Sequence, residues 1–156
     1  MIVSDAIRDI ISKMPQYHIQ IGVFTINSKR KISRKQVVNV GITNAELMFI
    51  HENGSPLRKI PARPVLHMTI DWANTQIQKV MQKAVQAYLQ HGEQACETEL
   101  KKFCLRMENY ARDIIYKNDG RLAPNAPSVA KAKGGNHPLF DTGQLARSIT
   151  CQLVKA

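Results

Sequence analysis

The sequence has no apolar run approaching the roughly 18 residues that span a bilayer, so no membrane partner is expected. It also lacks a basic segment ahead of an apolar one at its start, where Asp5 follows at once, and no signal peptide is expected. Aromatic residues make up only 6%, which points to an aliphatic, methionine-rich core. The three cysteines, Cys96, Cys104 and Cys151, form no C-x-x-C pair and have no histidine beside them at zinc-finger spacing. They are expected to be reduced and structural, the state of small apolar residues in a reducing cytoplasm.

Signatures of catalysis are missing as well. There is no G-x-S-x-G elbow, no G-x-x-x-x-G-K-[ST] loop and no G-x-G-x-x-G turn. Lys133-Gly134-Gly135 looks like part of a phosphate loop, but no strand precedes it, and a hinge explains it better. The histidines are His18, His51, His67, His91 and His137, and no two share a helix face at i, i+4. His51 beside Glu52 reads as a surface histidine near a helix end, and Asp71 beside Trp72 as the polar and apolar sides of one helix. Glu93, Glu97, Glu99, Glu108 and Asp113 alternate with lysines and read as solvating charges. No catalytic, cofactor-binding or metal-ligating residue is therefore assigned, and no enzyme is expected.

What the sequence does have is positive charge and helical periodicity. It runs to 156 residues, enough for one domain with its own core, with a formal net charge of +10. The densest basic run is Lys29, Arg30, Lys31, Arg34 and Lys35, with no acid between them. Such a run suits phosphate, an acidic protein surface or a solvated hairpin tip. Nucleic-acid recognition has little else behind it, because the aromatic stacking platform for single strands is missing. The long helices also lack a dense basic face for a major groove.

Along the chain, Ile2, Ala6, Ile7, Ile10 and Ile11 give residues 2–13 a helical face, stopped by Pro15. Residues 17–24 alternate as a strand, and residues 37–42 are again rich in β-branched side chains. The two suggest a hairpin around the basic run, with residues 26–36 expected to be mobile. Thr43 and Glu46 are spaced as a capping box for a short helix over 43–53, ended by Gly54 in a left-handed conformation. Pro56, Pro61 and Pro64 stiffen the connector that follows.

Two long amphipathic helices are predicted next. The first carries Leu66, Ile70, Ala73, Ile77, Val80, Ala84 and Tyr88. After a break at Gly92 the second carries Cys96, Leu100, Phe103, Met107, Ala111 and Ile114. Residues 118–137 show no period and are expected to form a mobile loop. Asp141 or Thr142 is placed to cap a short helix through Leu145 and Arg147, with Gly143 permitting close backbone approach. A last strand alternates Ile149, Cys151 and Leu153 against Thr150, Gln152 and Val154. The fold expected is a single α+β domain over 1–156. Its small antiparallel sheet, made by the early hairpin and the C-terminal strand, packs against the two long helices.

Two stretches carry a family likeness. One is Glu46-Leu47-Met48-Phe49-Ile50-His51-Glu52-Asn53-Gly54 with Ile60-Pro61-Ala62-Arg63-Pro64-Val65-Leu66; the other is Pro138-Leu139-Phe140-Asp141-Thr142-Gly143-Gln144-Leu145-Ala146-Arg147-Ser148-Ile149. Together they resemble the phage tail-completion and head–tail joining proteins, the virion morphogenesis family. That family shows an H-E-x-G-like turn, an I-P-A-R-P-like connector and a P-L-x-D-T-G-x-L-x-x-S-I motif. Residues 124–131 resemble its proline-bearing loop, with Leu122 near the place where a tryptophan often stands.

The resemblance implies a structural subunit at the head–tail junction or the head-proximal tail end of a virion, made in the bacterial host cytoplasm. It implies a homo-oligomeric ring, a hexamer being favoured, that touches other neck and tail proteins. Candidate subunit-contact residues are Lys29, Arg30, Lys31, Arg34, Lys35, Arg63, Lys131, Lys133 and Arg147. Arg63 is suited to anchoring a carbonyl or a carboxylate. Fold-defining residues are Gly54, Pro61, Pro64, Asp141, Thr142, Gly143 and Leu145. The alternative is a basic nucleic-acid-binding accessory protein, and incidental DNA contact fits either role.

Overall fold

The computed structural model describes residues 5–24, 26, 29 and 41–156. The element order is α1 (Asp5–Ser12), β1 (Tyr17–Gly22), α2 (Asn44–Asn53), α3 (Val65–His91), α4 (Glu93–Lys117), α5 (Pro127–Lys133), α6 (Gln144–Ser148) and β2 (Thr150–Lys155), with a single 3-10 turn at Pro56–Arg58. This is the expected α+β arrangement.

α3 and α4 form its spine. They are separated only by Gly92, whose φ of 80° ends the first helix and starts the second. Every residue of the stripe expected on α4 is buried: Cys96, Leu100, Phe103, Met107, Ala111 and Ile114. On α3 the buried residues are Val65, Thr69, Ala73, Val80 and Ala84. Ile70 and Ile77, expected in the core, are 45% and 42% exposed. The helix is rotated so that small residues face α4, and Thr69 is admitted because its hydroxyl donates to the Val65 carbonyl at 2.8 Å. Trp72 lies flat on Tyr110, ring centroids 4.5 Å apart.

β2 pairs antiparallel with β1, with Tyr17 opposite Lys155, Ile19 opposite Leu153 and Ile21 opposite Cys151. Tyr17, Ile19, Ile21, Cys151 and Leu153 pack against the Phe103 and Met107 region of α4, while His18, Gln20 and Gln152 are exposed, the period-two pattern of a half-buried ribbon. Glu108, expected to be a solvating charge, is a structural residue instead. It accepts the Cys151 N–H at 3.0 Å and pairs with Arg112 at 2.7 Å, while Arg112 donates to the Ile149 carbonyl. This pair fixes the start of β2 on α4. Glu93 likewise binds Lys155 and accepts from Tyr17, tying the far end of the sheet to the start of α4. Glu97, Glu99 and Asp113 make ion pairs with Lys101, Lys102 and Lys117 on the helix surface. All three cysteines are free thiols, Cys96 and Cys104 buried.

Of the expected second hairpin strand, residues 37–40 lie outside the described residues, and Gly41 and Ile42 are not in a strand. Residues 118–137 are not featureless: α5 lies within them, with Pro127 in its first turn and Gly134 in the left-handed conformation after it.

The capping box of α2 is present in both directions. The Thr43 hydroxyl accepts the Glu46 N–H, and the Glu46 carboxylate accepts the Thr43 N–H. These bonds hold the Glu46 carboxyl below its ordinary pKa of 4.5. A lowered carboxyl stabilises the fold above its unfolded-state pKa, and that contribution is lost as pH falls through the lower folded value. Glu46→Gln is expected to remove the corresponding acid limb, read as a flatter dependence of urea midpoint on pH below about pH 4.5.

Candidate interaction cleft around Arg63

The connector between α2 and α3 is folded by its own sequence. Ser55 and Ile60 exchange two backbone hydrogen bonds, closing the loop that contains the 3-10 turn. Gly54 precedes it with φ 74° and ψ 177°. The positive φ is as expected for a glycine. However, the ψ is extended, so this is the mirror-β conformation rather than the left-handed helical one. The Arg63 N–H then bonds the His51 carbonyl at 2.6 Å, which returns the connector to the end of α2.

His51 and Glu52 both serve this junction. His51 is half-buried rather than on the surface, with Nδ1 3.3 Å from Nη1 of Arg63. Glu52 accepts the Leu66 and His67 N–H groups at 3.0 and 2.8 Å. These belong to the first turn of α3, which its own N-cap, Pro64, leaves without a side-chain cap. A carboxylate from another helix thus satisfies two orphan donors and complements the helix dipole. Glu52→Gln keeps the shape but weakens both bonds. It is expected to cost about 1 kcal/mol in urea unfolding and to speed exchange of the Leu66 and His67 amides.

Arg63 is the centre of the region. It is only 4% exposed. Nε donates to the Ala123 carbonyl at 2.7 Å and Nη2 to the Pro124 carbonyl at 2.8 Å, with Oδ1 of Asn125 at 3.4 Å from Nη2. Arg63 thus anchors carbonyls some 60 residues away, one of the two roles expected of it. Burial lowers its pKa from the ordinary value. Among the described residues its polar partners are carbonyl, amide and imidazole groups, none of them an acid.

The second motif stretch, residues 138–149, closes the opposite side. Pro138 and Leu139 are buried, and Leu139 holds φ 59°, a left-handed conformation that costs a non-glycine residue about 1–2 kcal/mol. α6 is not capped by Asp141 or Thr142: its N-cap is Gly143 at φ 73°, with no side-chain cap. The Thr142 carbonyl is turned toward Arg147, whose Nη2 donates to it at 2.8 Å. The close approach that Gly143 permits is therefore to side chains, since a Cβ there would sit 2.8 Å from Nη1 of Arg147.

Between the two stretches lies a cleft of roughly 500 Å³. Leu47 and His51 of α2, the connector from Arg58 to Arg63, residues 125–129 and residues 139–145 all contribute to its walls. Arg58, Lys59, Arg63 and Lys133 line it against a single acid, Asp141. Of the expected contact residues, the structure brings only Arg63 and Lys133 into this cleft. Lys131 and Arg147 are exposed outside it, as is Lys29. Arg30, Lys31, Arg34 and Lys35 lie outside the described residues. Of the fold-defining set, Pro61, Asp141, Thr142, Gly143 and Leu145 line the cleft.

Among the described residues, no group of three His, Cys, Asp or Glu side chains is placed to hold a metal ion. No helix among them is long and apolar enough to cross a membrane. No protein-family model matches the chain, and no curated protein or solved structure is significantly similar to it.

Proposed function

We propose that this chain is a structural subunit of a tailed-phage virion that completes the tail and joins it to the head through protein–protein contacts in a ring. One observation carries the reading. The two stretches that resemble the virion morphogenesis family lie far apart in sequence yet share one buried core, with Met48 and Val65 against Leu139 and Leu145, and wall a single cleft. A pair of motifs linked in this way behaves as one architectural unit. The resemblance, and not the geometry, supplies the role. Closed rings arise when head-to-tail contacts complete a rotation, and surface charge steers such contacts. Phe49 and Leu57, 70% and 99% exposed on α2 and the connector, add apolar anchors suited to a neighbouring subunit.

The test is the composition of the particle. The polypeptide is expected in purified virions, at the neck or upper tail in particle images. Its deletion should leave heads and tails unjoined. Infectious particles that lack it refute the reading. Filter binding separates the nucleic-acid alternative: negligible retention of duplex DNA at physiological salt is expected. Low-micromolar affinity with a steep salt slope would favour the alternative.

A further inference from the structure

We infer that the Arg63 cleft is a docking site for an acidic peptide segment, taking a carboxylate between Lys59, Lys133 and the Asn125 amide, with apolar flanking side chains against Leu47, Ile60 and Leu139. Three observations converge. The cleft is electropositive, with four basic residues against Asp141. One lining residue carries a donor with no acceptor among the described residues: Nδ2 of Asn125, buried just behind the cleft surface. The amide orientation is set by Arg63, which requires Oδ1 and not Nδ2 toward its guanidinium. A buried unsatisfied donor is destabilising, and an anionic oxygen is the acceptor that relieves it best.

The size and lining of the cleft select the ligand. Its volume falls within the range of sites that enclose small organic groups. A rigid nucleic-acid duplex cannot enter it, and a free phosphate would leave Leu47, Ile60 and Leu139 uncovered. A short run of acidic and aliphatic residues satisfies both the charge and the apolar walls. The inference rests on the ring-subunit reading for the source of that segment, a neighbouring subunit, but the binding itself requires only the isolated chain.

The probe is a blocked five-residue peptide of alternating leucine and glutamate, titrated into the full chain labelled with nitrogen-15. The Asn125 side-chain amide is expected to shift saturably as the ligand draws it outward. Lys59→Gln with Lys133→Gln, exposed positions that leave the circular dichroism unchanged, should weaken binding by about fivefold. The matching leucine–glutamine peptide should leave the Asn125 signals in place. The inference is overturned if the glutamine peptide acts equally, if no saturable shift occurs, or if inorganic phosphate or duplex DNA displaces the acidic peptide at lower concentration. The virion-composition experiment is independent of this titration, so failure of either is recognised separately.

Discussion

Arg63→Ala is expected to lower the unfolding free energy by about 2–4 kcal/mol, because it empties a buried position and strands two carbonyls rather than merely deleting contacts. Ala123 and Pro124 present their carbonyls to Nε and Nη2. Ala123 is half-buried and Pro124 exposed, so each carbonyl left unpaired costs toward the lower end of the about 1–3 kcal/mol of a fully buried group. In a chain of this size the thermal midpoint should fall by about 4–16 °C. Arg63→Lys separates charge from shape. Lysine keeps the charge but has no planar fork to reach two carbonyls at once, so it should recover less than half of the loss. Urea denaturation of the three proteins decides the matter. A change below about 1 kcal/mol for Arg63→Ala would mean that water replaces the guanidinium, and that residues 118–137 are not held by it.

The contrast between α3 and α4 explains what the sequence made readable. On α4 most apolar residues fall on the buried side, Leu105 and Tyr116 excepted, so every position that periodicity placed in the core, from Cys96 to Ile114, is buried. On α3 Ile70 and Ile77 share one face while Thr69, Ala73, Val80 and Ala84 occupy the adjacent one, and period alone could not choose between them. Packing against α4 chose Thr69, Ala73, Val80 and Ala84, since small side chains let helices approach closely, and left Ile70 and Ile77 beside β1.

Local signals succeeded where both partners are neighbours. Thr43 and Glu46 form their box three residues apart. Such signals failed where a partner comes from elsewhere. Glu52 caps a helix that begins 13 residues later, and His51 is drawn inward by Arg63. Asn125 has its orphan amide only because residues 118–137 are folded onto the connector. The order of those residues comes from Arg63 and its carbonyl partners, from Asn136 bonded to Asn118 and Asn125, and from buried Leu122, none of which leaves a periodic trace. The basic run itself had the opposite fate: legible as charge, it contributes only Lys29 to the described residues.

Gly54→Ala should be nearly as damaging as loss of Arg63, for a geometric reason. At φ 74° and ψ 177° the backbone occupies a region essentially restricted to glycine, and strain of this kind costs about 1–3 kcal/mol. A Cβ would also lie 2.8 Å from the Ala62 nitrogen and 3.0 Å from the Ile60 carbonyl oxygen. Both contacts are backbone atoms of a connector already closed by the Ser55–Ile60 pair, so neither yields easily. The displaced segment is the one that delivers Arg63. A total loss of about 2–4 kcal/mol is therefore expected, with part of it expressed through Arg63. Combined with Arg63→Ala, the loss should fall short of the sum of the single effects by at least about 0.5 kcal/mol, because both changes dismantle one junction. Gly135→Ala is the matched control: a Cβ there meets nothing within 4 Å, and the change should be close to neutral. If Gly54→Ala proves equally mild, or if the double-mutant cycle closes additively, the connector does not position Arg63, and residues 123–125 are held against it by some other contact.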